Sequence, residues 1–136
     1  MTGKMRFEGL TLTVESVERS LAFYRGKLGL EVQLNAAPAF AMLRVGAGTI
    51  GLLSIEEARK DGVIEATAAQ RRAIHVEFST DDLDGLHQEL KSRDVEFHQP
   101  PHDEPWERSM TAFDPDGYSV EFAQGRRGEN KPAPKP

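Results

Sequence analysis

Two passes of the same strand–helix–strands pattern, 66 residues apart, restrict the folds open to this 136-residue chain more than any other feature. Shifting one half onto the other lays Gly9 on His75 and Ser16 on Asp82. Neither half can bury a sheet alone, so we expect the two to share one core. The pattern predicts an α+β fold made of two βαβββ modules that arose by internal duplication.

The first pass begins with a strand in which apolar and small polar residues alternate, at 9–14. Ser16 stands where a helix N-cap is expected. Apolar residues recur at helical spacing from Val17 to Leu28, and Gly29 follows as the C-cap. Three further strands are predicted in LEVQL, PAFAMLRVG and GTIGLLS.

The second pass starts with the stretch AIHVEFSTDDLD, which predicts a strand that leads into a helix cap. Alternation places Ile74, Val76 and Phe78 toward the core, and His75 and Glu77 on the opposite side. DVEFHQ is the next predicted strand, followed by a Pro-rich loop. RSMTAF and YSVEFAQ then flank the turn DPDG, so they are expected to form a hairpin.

Composition sets the boundaries along the chain. Module 1 is expected at about 6–54 and module 2 at about 73–124, separated by a polar linker, 55–72. Together they form a single domain, 1–124. The tail, 125–136, consists of Pro, Gly and charged residues with almost nothing to bury, and is predicted to be disordered.

The absence of cysteine excludes a disulfide framework, a thiolate nucleophile and a Cys-based zinc site. The net charge is −5, and the tail carries four Lys and Arg against one Glu, so the remainder carries about −8. Such an acidic body argues against nucleic acid as a partner. The chain also has no apolar run of membrane-spanning length and no signal-peptide pattern. We therefore expect a cytoplasmic protein that makes no contact with membranes.

The segments VESVERSLAFYRGKLGLEV, HVEFSTDDLD and WERSMTAFDPDGYSVEF resemble the vicinal oxygen chelate superfamily, the group of glyoxalases, bleomycin-resistance proteins and extradiol dioxygenases. The resemblance runs from about Arg6 to Gln124. It implies that the two βαβββ modules form curled mixed sheets enclosing a cup, that the chain is a homodimer, and that a small-molecule ligand or a metal ion lies on the concave side. This fold hosts many chemistries, so function must be argued from the site.

In metal-dependent members of that superfamily, the first and last strands of each module supply the ligands. The matching positions here hold Gly9, Gly51, His75 and Glu121. Two protein ligands are too few for a zinc or non-haem iron site. Glu77 shares the predicted face of His75 and is the candidate third ligand for a divalent ion such as Zn, Fe, Ni or Mn.

The two glycines are expected to leave volume that a flat ligand could fill. Trp106 is a candidate to stack on such a ligand, and Arg108 to bind its carboxylate. The full set of predicted pocket residues comprises Gly9, Thr11, Phe40, Met42, Arg44, Gly51, Trp106, Arg108 and Tyr118.

The leading hypothesis from the sequence is a small-molecule binding protein that sequesters or presents its ligand without a complete metal site. The alternative is a metal-dependent lyase or dioxygenase that uses His75 and Glu121, with Glu77 as a further ligand. A third hypothesis makes His75 and Glu121 a metal-free catalytic pair, in which the carboxylate orients the imidazole as a general base. A structural role, with His75 hydrogen-bonded to Glu121, is the alternative to all three.

Overall fold

The structure is a computed structural model that describes residues 3–62 and 65–125. The chain divides into two compact units, Met1–Ala66 and Thr67–Pro136. The division falls inside the predicted linker, 55–72, most of which forms two short helices, the second ending one residue beyond it at Ala73. Of the tail that was predicted to be disordered, only Gly125 lies within the described residues.

Unit 1 contains one βαβββ module, as predicted. Its strands are β1 (Gly9–Val14), β2 (Glu31–Ala36), β3 (Phe40–Val45) and β4 (Gly48–Ser54); its helices are α1 (Val17–Leu21) and α2 (Ile55–Lys60). The sheet order is β1-β4-β3-β2, with β1 parallel to β4 and the other neighbours antiparallel. Leu12, Val14, Leu43 and Leu52 are almost completely buried on one face of this sheet.

The first helix begins as predicted and continues differently. Ser16 is its N-cap, and its hydroxyl accepts a hydrogen bond from the backbone N–H of Arg19 at 3.1 Å. The sequence pattern predicts an uninterrupted α-helix, but the chain widens after α1 into a π-helical segment, Ala22–Lys27. Two consecutive aromatic residues in this segment, Phe23 and Tyr24, are both buried, with their rings edge to face at 5.0 Å.

Unit 2 repeats the arrangement of unit 1. Its elements are α3 (Ala68–Ala73), β5 (His75–Ser79), α4 (Leu83–Ser92), β6 (Phe97–Glu104), β7 (Glu107–Phe113) and β8 (Ser119–Gln124). The sheet order is β5-β8-β7-β6, with β5 parallel to β8. This is the same order and the same parallel pair as in unit 1, so the predicted duplication and fold class are confirmed.

Helix α4 covers one face of the unit 2 sheet. Asp82 caps the helix by accepting a hydrogen bond from the N–H of Gly85 at 3.0 Å, and Leu83 and Leu90 are buried. On the same side, the ring of Phe122 stacks on that of Phe78 at 5.5 Å. The opposite side of this sheet is called the His75 face below, after the residue of β5 that lies on it.

The Pro-rich segment predicted as a loop belongs instead to β6. This strand lies at the edge of the sheet and pairs with β7 only. Proline, which has no N–H to donate, is tolerated on the side of an edge strand that has no neighbour. Its pairing with β7 shifts register twice, between Phe97 and Gln99 and between Gln99 and His102. The sequence therefore predicted a strand that ends too early, because the edge position allows β6 to continue through the two prolines.

Two apolar residues of the alternating segments, one of them Ile74, which was predicted to face the core, are exposed instead. Leu10 is 36% exposed in β1, and Ile74, which caps α3 rather than belonging to β5, is 41% exposed. Each lies on or beside an edge strand, which has a neighbour on one side only. In the part of the chain that the structure describes, no helix is long and apolar enough to cross a bilayer.

His102 of β6 provides a testable pH dependence. Its Nδ1 lies 2.8 Å from the carbonyl oxygen of Pro100 and its Nε2 lies 3.1 Å from Oε1 of Glu104. Both partners are acceptors, so only the protonated ring can donate to both. The hydrogen bond to Pro100 is the main cause that raises the pKa of His102, and Glu104 adds to the rise, whereas partial burial and, less strongly, Arg108 oppose it.

Because the folded pKa is raised, this stabilisation is complete below about pH 6.5 and is lost as the pH rises through the folded pKa. We expect His102→Gln to cost more stability at pH 5.5 than at pH 8.5, by less than about 1 kcal/mol because the pair is exposed. Urea unfolding at both pH values measures this. His87, whose pKa is lowered by burial, titrates in both the wild type and the variant, so its contribution cancels from the difference between them. An equal cost at both pH values would contradict the double hydrogen bond.

Candidate functional site

The His75 face is built by the period-two alternation of β5 and β8. In β5, Val76 is buried, whereas His75 and Glu77 are exposed, as the sequence predicts. The parallel register sets His75 opposite Ser119 and Glu77 opposite Glu121. Since side chains at paired positions lie on the same face of a sheet, these four residues form one surface.

His75 and Glu121 come together on this surface. The Nδ1 atom of His75 lies 3.6 Å from Oε2 of Glu121, which is an ion-pair distance when the imidazole is protonated. The His75 side chain is 50% exposed and that of Glu121 is 16% exposed, so the imidazole is accessible while the carboxylate is mostly covered. The carboxylate can therefore orient the imidazole, which keeps its other nitrogen for a ligand.

Glu77 lies beside Glu121 because neighbouring strands in a sheet are about 4.8 Å apart. Two adjacent carboxylates repel unless a proton, a cation or a hydrogen-bond donor is shared between them. Thr111 of β7 pairs with Glu121 from the other side and adds a hydroxyl to the same row. This row favours hydrogen-bond donors and cationic groups.

The residues present do not fit the metal site of the superfamily. Gly9 has φ 153°, and a Cβ atom added there would overlap the carbonyl oxygen of Thr49. A Cβ atom at Gly51 would lie 2.7 Å from Oγ1 of Thr11 and 3.2 Å from the ring of Phe40. Among the residues that the structure describes, no three His, Asp or Glu side chains are arranged to hold a metal ion.

The predicted pocket residues of unit 1 share one face, but the volume expected there is filled. The register pairs Thr11 with Gly51 and Gly51 with Met42. The ring of Phe40 and the hydroxyl of Thr11 occupy the space that the missing side chain of Gly51 would take. Arg44, farther along the same face, donates to the carbonyl oxygen of Ala47 at 3.3 Å.

The predicted pocket residues of unit 2 are separated. Trp106 lies in the turn between β6 and β7 and is 52% exposed. Arg108 is on the α4 side, where its guanidinium donates to Asp84 and to Asp103, each at 3.0 Å. The hydrogen bond from Arg108 lowers the pKa of Asp84. Tyr118 is only 2% exposed.

A group on the His75 face was not predicted from the sequence. Phe113 of β7 pairs with Ser119, which in turn pairs with His75. The guanidinium carbon of Arg72 lies 5.3 Å from the centre of the Phe113 ring, and the ring of His98 lies 4.9 Å from it. Alternation in RSMTAF could have placed Phe113 on this face, but no local signal connects it to Arg72.

Unit 1 also contains an acidic cavity of about 300 Å³ at the start of its helices. Glu15, Glu18, Glu56 and Glu57 line it, together with the two N-cap residues Ser16 and Ser54. Carboxylates near the first turn of a helix stabilise the positive end of its dipole. That contribution to stability accounts for the composition of the cavity.

Comparison with known proteins places the chain among sequences of one fold. The family described as Glyoxalase/Bleomycin resistance protein/Dioxygenase superfamily matches residues 6–122. A glyoxalase/bleomycin resistance protein/dioxygenase from Nocardioides is similar in structure, with a TM-score of 0.79 and 25% identity over 100% of this chain and 93% of the other. A lactoylglutathione lyase from Agrobacterium tumefaciens has a TM-score of 0.73 and 22% identity over 90% and 96% of the two chains. No protein of curated function matches the chain.

Proposed function

Because the chain belongs to the Glyoxalase/Bleomycin resistance protein/Dioxygenase superfamily, we propose that it is a small-molecule binding protein whose ligand lies against the His75 face. The observation that carries the proposal is the His75–Glu121 pair, with Nδ1 and Oε2 3.6 Å apart. The accessible imidazole offers a directed hydrogen-bond donor or acceptor, and the covered carboxylate orients it. Such a pair can bind and position a polar group of a ligand.

Metal chemistry is the second candidate function, and one observation favours it. Glu77 is in register with Glu121 on the face of His75, so one nitrogen donor and two carboxylates share a face, although the three side chains are not arranged to hold an ion. A divalent ion held there would polarise oxygen atoms of a substrate in a lyase or dioxygenase reaction. Against this, neither position in unit 1 carries a ligand, and a side chain at Gly9 would collide with backbone. We therefore rank metal-free binding first.

The proposal also includes a single domain over 1–124, a homodimer and a cytoplasmic location. The superfamily often dimerises, which supports the homodimer. Size-exclusion chromatography with light scattering tests it directly. A monomer at all concentrations would contradict the homodimer and leave the proposed binding function standing.

Two substitutions separate binding from metal chemistry. We expect Glu121→Gln and His75→Ala to weaken ligand binding about tenfold, which is the effect of losing one hydrogen bond to a charged group. The probes are benzoate, phenyl phosphate, benzamide and benzylamine, measured by calorimetry and by the shifts of backbone amides in β5 and β8. Glu89→Gln, at an exposed ion pair of α4, is the matched control and should leave binding unchanged.

Elemental analysis of the same proteins decides between the two functions. Binding without metal predicts no stoichiometric transition metal in the purified wild type, including after incubation with iron, zinc, nickel or manganese. A near-stoichiometric metal that is lost in His75→Ala would contradict our proposal and support the enzyme.

A further inference from the structure

The Arg72–Phe113–His98 group on the His75 face has the chemistry of an anion site. Both Arg72 and His98 lie against the same half-buried aromatic ring, at 5.3 and 4.9 Å from its centre. An arginine held over an aromatic ring does not use its N–H donors in that contact, so they can form paired hydrogen bonds with a carboxylate or a phosphate.

The end of helix α3 that carries Arg72 is held in place by two tertiary hydrogen bonds. The hydroxyl of Ser119 donates to the carbonyl oxygen of Arg72 at 2.7 Å. The neighbouring Arg71 donates from Nε to the carbonyl oxygen of Asp116 at 2.6 Å. Helix α3, which carries both arginines, starts with a capping box between Thr67 and Gln70. The end of α3 is therefore anchored to β8 and to the turn before it, so little ordering of the backbone is needed for Arg72 to bind a ligand.

The guanidinium of Arg72 contacts an aromatic ring, whereas those of three other arginines contact carboxylates. Arg59, Arg93 and Arg108 each form an ion pair with a carboxylate, at 2.6–3.0 Å. Arg72, by contrast, forms no ion pair with any carboxylate in the described part of the chain and contacts Phe113 instead. In a protein with an excess of Asp and Glu, a positioned guanidinium without a carboxylate partner is suited to bind an external anion.

The register places this group next to the His75–Glu121 pair. Phe113, Ser119 and His75 lie in one row across three neighbouring strands, and Thr111, Glu121 and Glu77 lie in the adjacent row. The His75 face thus has two neighbouring rows. The row that begins at Phe113 is flanked by Arg72 and His98, and the other contains two carboxylates. A small ligand can contact both rows because residues two apart on a strand are separated by about 7 Å.

We propose that Arg72 and His98 bind the oxyanion of the ligand, and that the ligand of this protein is a small organic anion with a carboxylate or phosphate group. The inference rests on the proposed function, and it adds the chemical class of the ligand. Most of the negative charge of the chain opposes it little, because charges beyond about 8 Å are largely screened at physiological salt. Glu77 and Glu121 are nearer, in the adjacent row, so the oxyanion is expected on the side of the face that Arg72 and His98 flank, where the donors act in direct contact.

The test compares four probes that differ in charge but share a phenyl ring. We expect benzoate or phenyl phosphate to bind wild type at least about tenfold more tightly than benzamide or benzylamine. The first two also distinguish a carboxylate from a phosphate site. Arg72→Gln should lose about tenfold in affinity for the anion, and Arg72→Lys, which keeps the charge but not the planar donors, should lose less. Arg93→Gln, at an exposed ion pair of the same unit, is the control and should bind normally.

Each outcome has a distinct meaning. Loss of anion binding in Arg72→Gln, with an unchanged melting temperature and with amide shifts at Ser119 and His75, supports the inference. Tighter binding of benzylamine or benzamide, weakened by Glu121→Gln but not by Arg72→Gln, would overturn the anion site and leave the proposed function standing. Failure of every probe to shift the amides of β5 and β8 would count against both.

Discussion

Replacing Gly9 by alanine is expected to lower the free energy of unfolding by about 3 kcal/mol or more, which is a large effect for one methyl group. Gly9 has φ 153°, a conformation that residues with a Cβ atom rarely adopt. The added Cβ would overlap the carbonyl oxygen of Thr49, whose own N–H donates to the carbonyl of Glu8 at 2.8 Å. Backbone on both sides is held by the β1–β4 pairing, so it cannot move without breaking the sheet. Urea unfolding followed by circular dichroism measures the loss.

Two other glycines serve as matched controls for Gly9. Gly26 lies in the π-helical segment with no atom within 4 Å of an added Cβ, so Gly26→Ala should be neutral or slightly stabilising. Gly51→Ala should be intermediate, because the obstructing atoms belong to the side chains of Thr11 and Phe40, which can shift. If Gly9→Ala unfolds at the same urea concentration as Gly26→Ala, the close contact between Gly9 and the carbonyl oxygen of Thr49 is contradicted.

The same collision bears on function. A histidine or glutamate at Gly9 would need the Cβ position that the carbonyl of Thr49 occupies, so a single substitution there cannot restore a metal ligand. In this chain the obstacle to a ligand at position 9 is therefore backbone packing as well as the missing side chain. This is the physical reason for ranking metal-free binding first.

Replacing Asp114 by alanine is the second large effect, with an expected loss of about 3 kcal/mol in the free energy of unfolding. Asp114 is 5% exposed, and its Oδ1 accepts hydrogen bonds from the N–H groups of Asp116 and Tyr118 at 2.9 and 3.0 Å. Alanine would leave both donors without their acceptor in the turn that joins β7 to β8. Because that turn also carries the carbonyl bound by Arg71, its disruption should weaken the docking of α3 as well.

Asp114→Asn is the matched control for this substitution. Asparagine keeps an acceptor oxygen at the same place and loses only the charge, so we expect it to cost less than half as much as alanine. Urea unfolding of both variants, with hydrogen exchange at the amides of residues 116 and 118, measures the difference. Equal losses for the two variants would show that the charge, and not the pair of hydrogen bonds, determines the stability of the turn.

Local patterns in the sequence predicted most of the fold. The alternation in β5 correctly assigned Val76 to the buried side and His75 and Glu77 to the other, because side-chain direction in a strand depends only on position along it. Ser16 was correctly identified as a helix cap, and of the two candidates for the second cap, Asp81 and Asp82, the structure shows Asp82; a cap can be predicted locally because it bonds to residues three positions away. The duplication predicted that the two units have the same arrangement of elements, because equal patterns fold into equal modules, and the two sheets do share one strand order.

Features that depend on distant segments could not be read in this way. The path of β6 through its prolines requires knowing that this strand lies at an edge. The glycines at 9 and 51 suggested empty volume, whereas contacts with Thr49 and with the Phe40 ring show why glycine is present. Arg108 was expected to face a ligand, but its direction is set by its pairing with Asp84 on α4.

The sequence by itself therefore determined the two modules, the faces of their strands and the residue types that each face presents. The tertiary structure alone brought Arg72, Phe113 and His98 together and set Glu77 beside Glu121. These residues are far apart along the chain, and no periodicity links them. Their contacts depend on strand register, which is set by hydrogen bonds across the whole sheet and by the packing of side chains on its two faces.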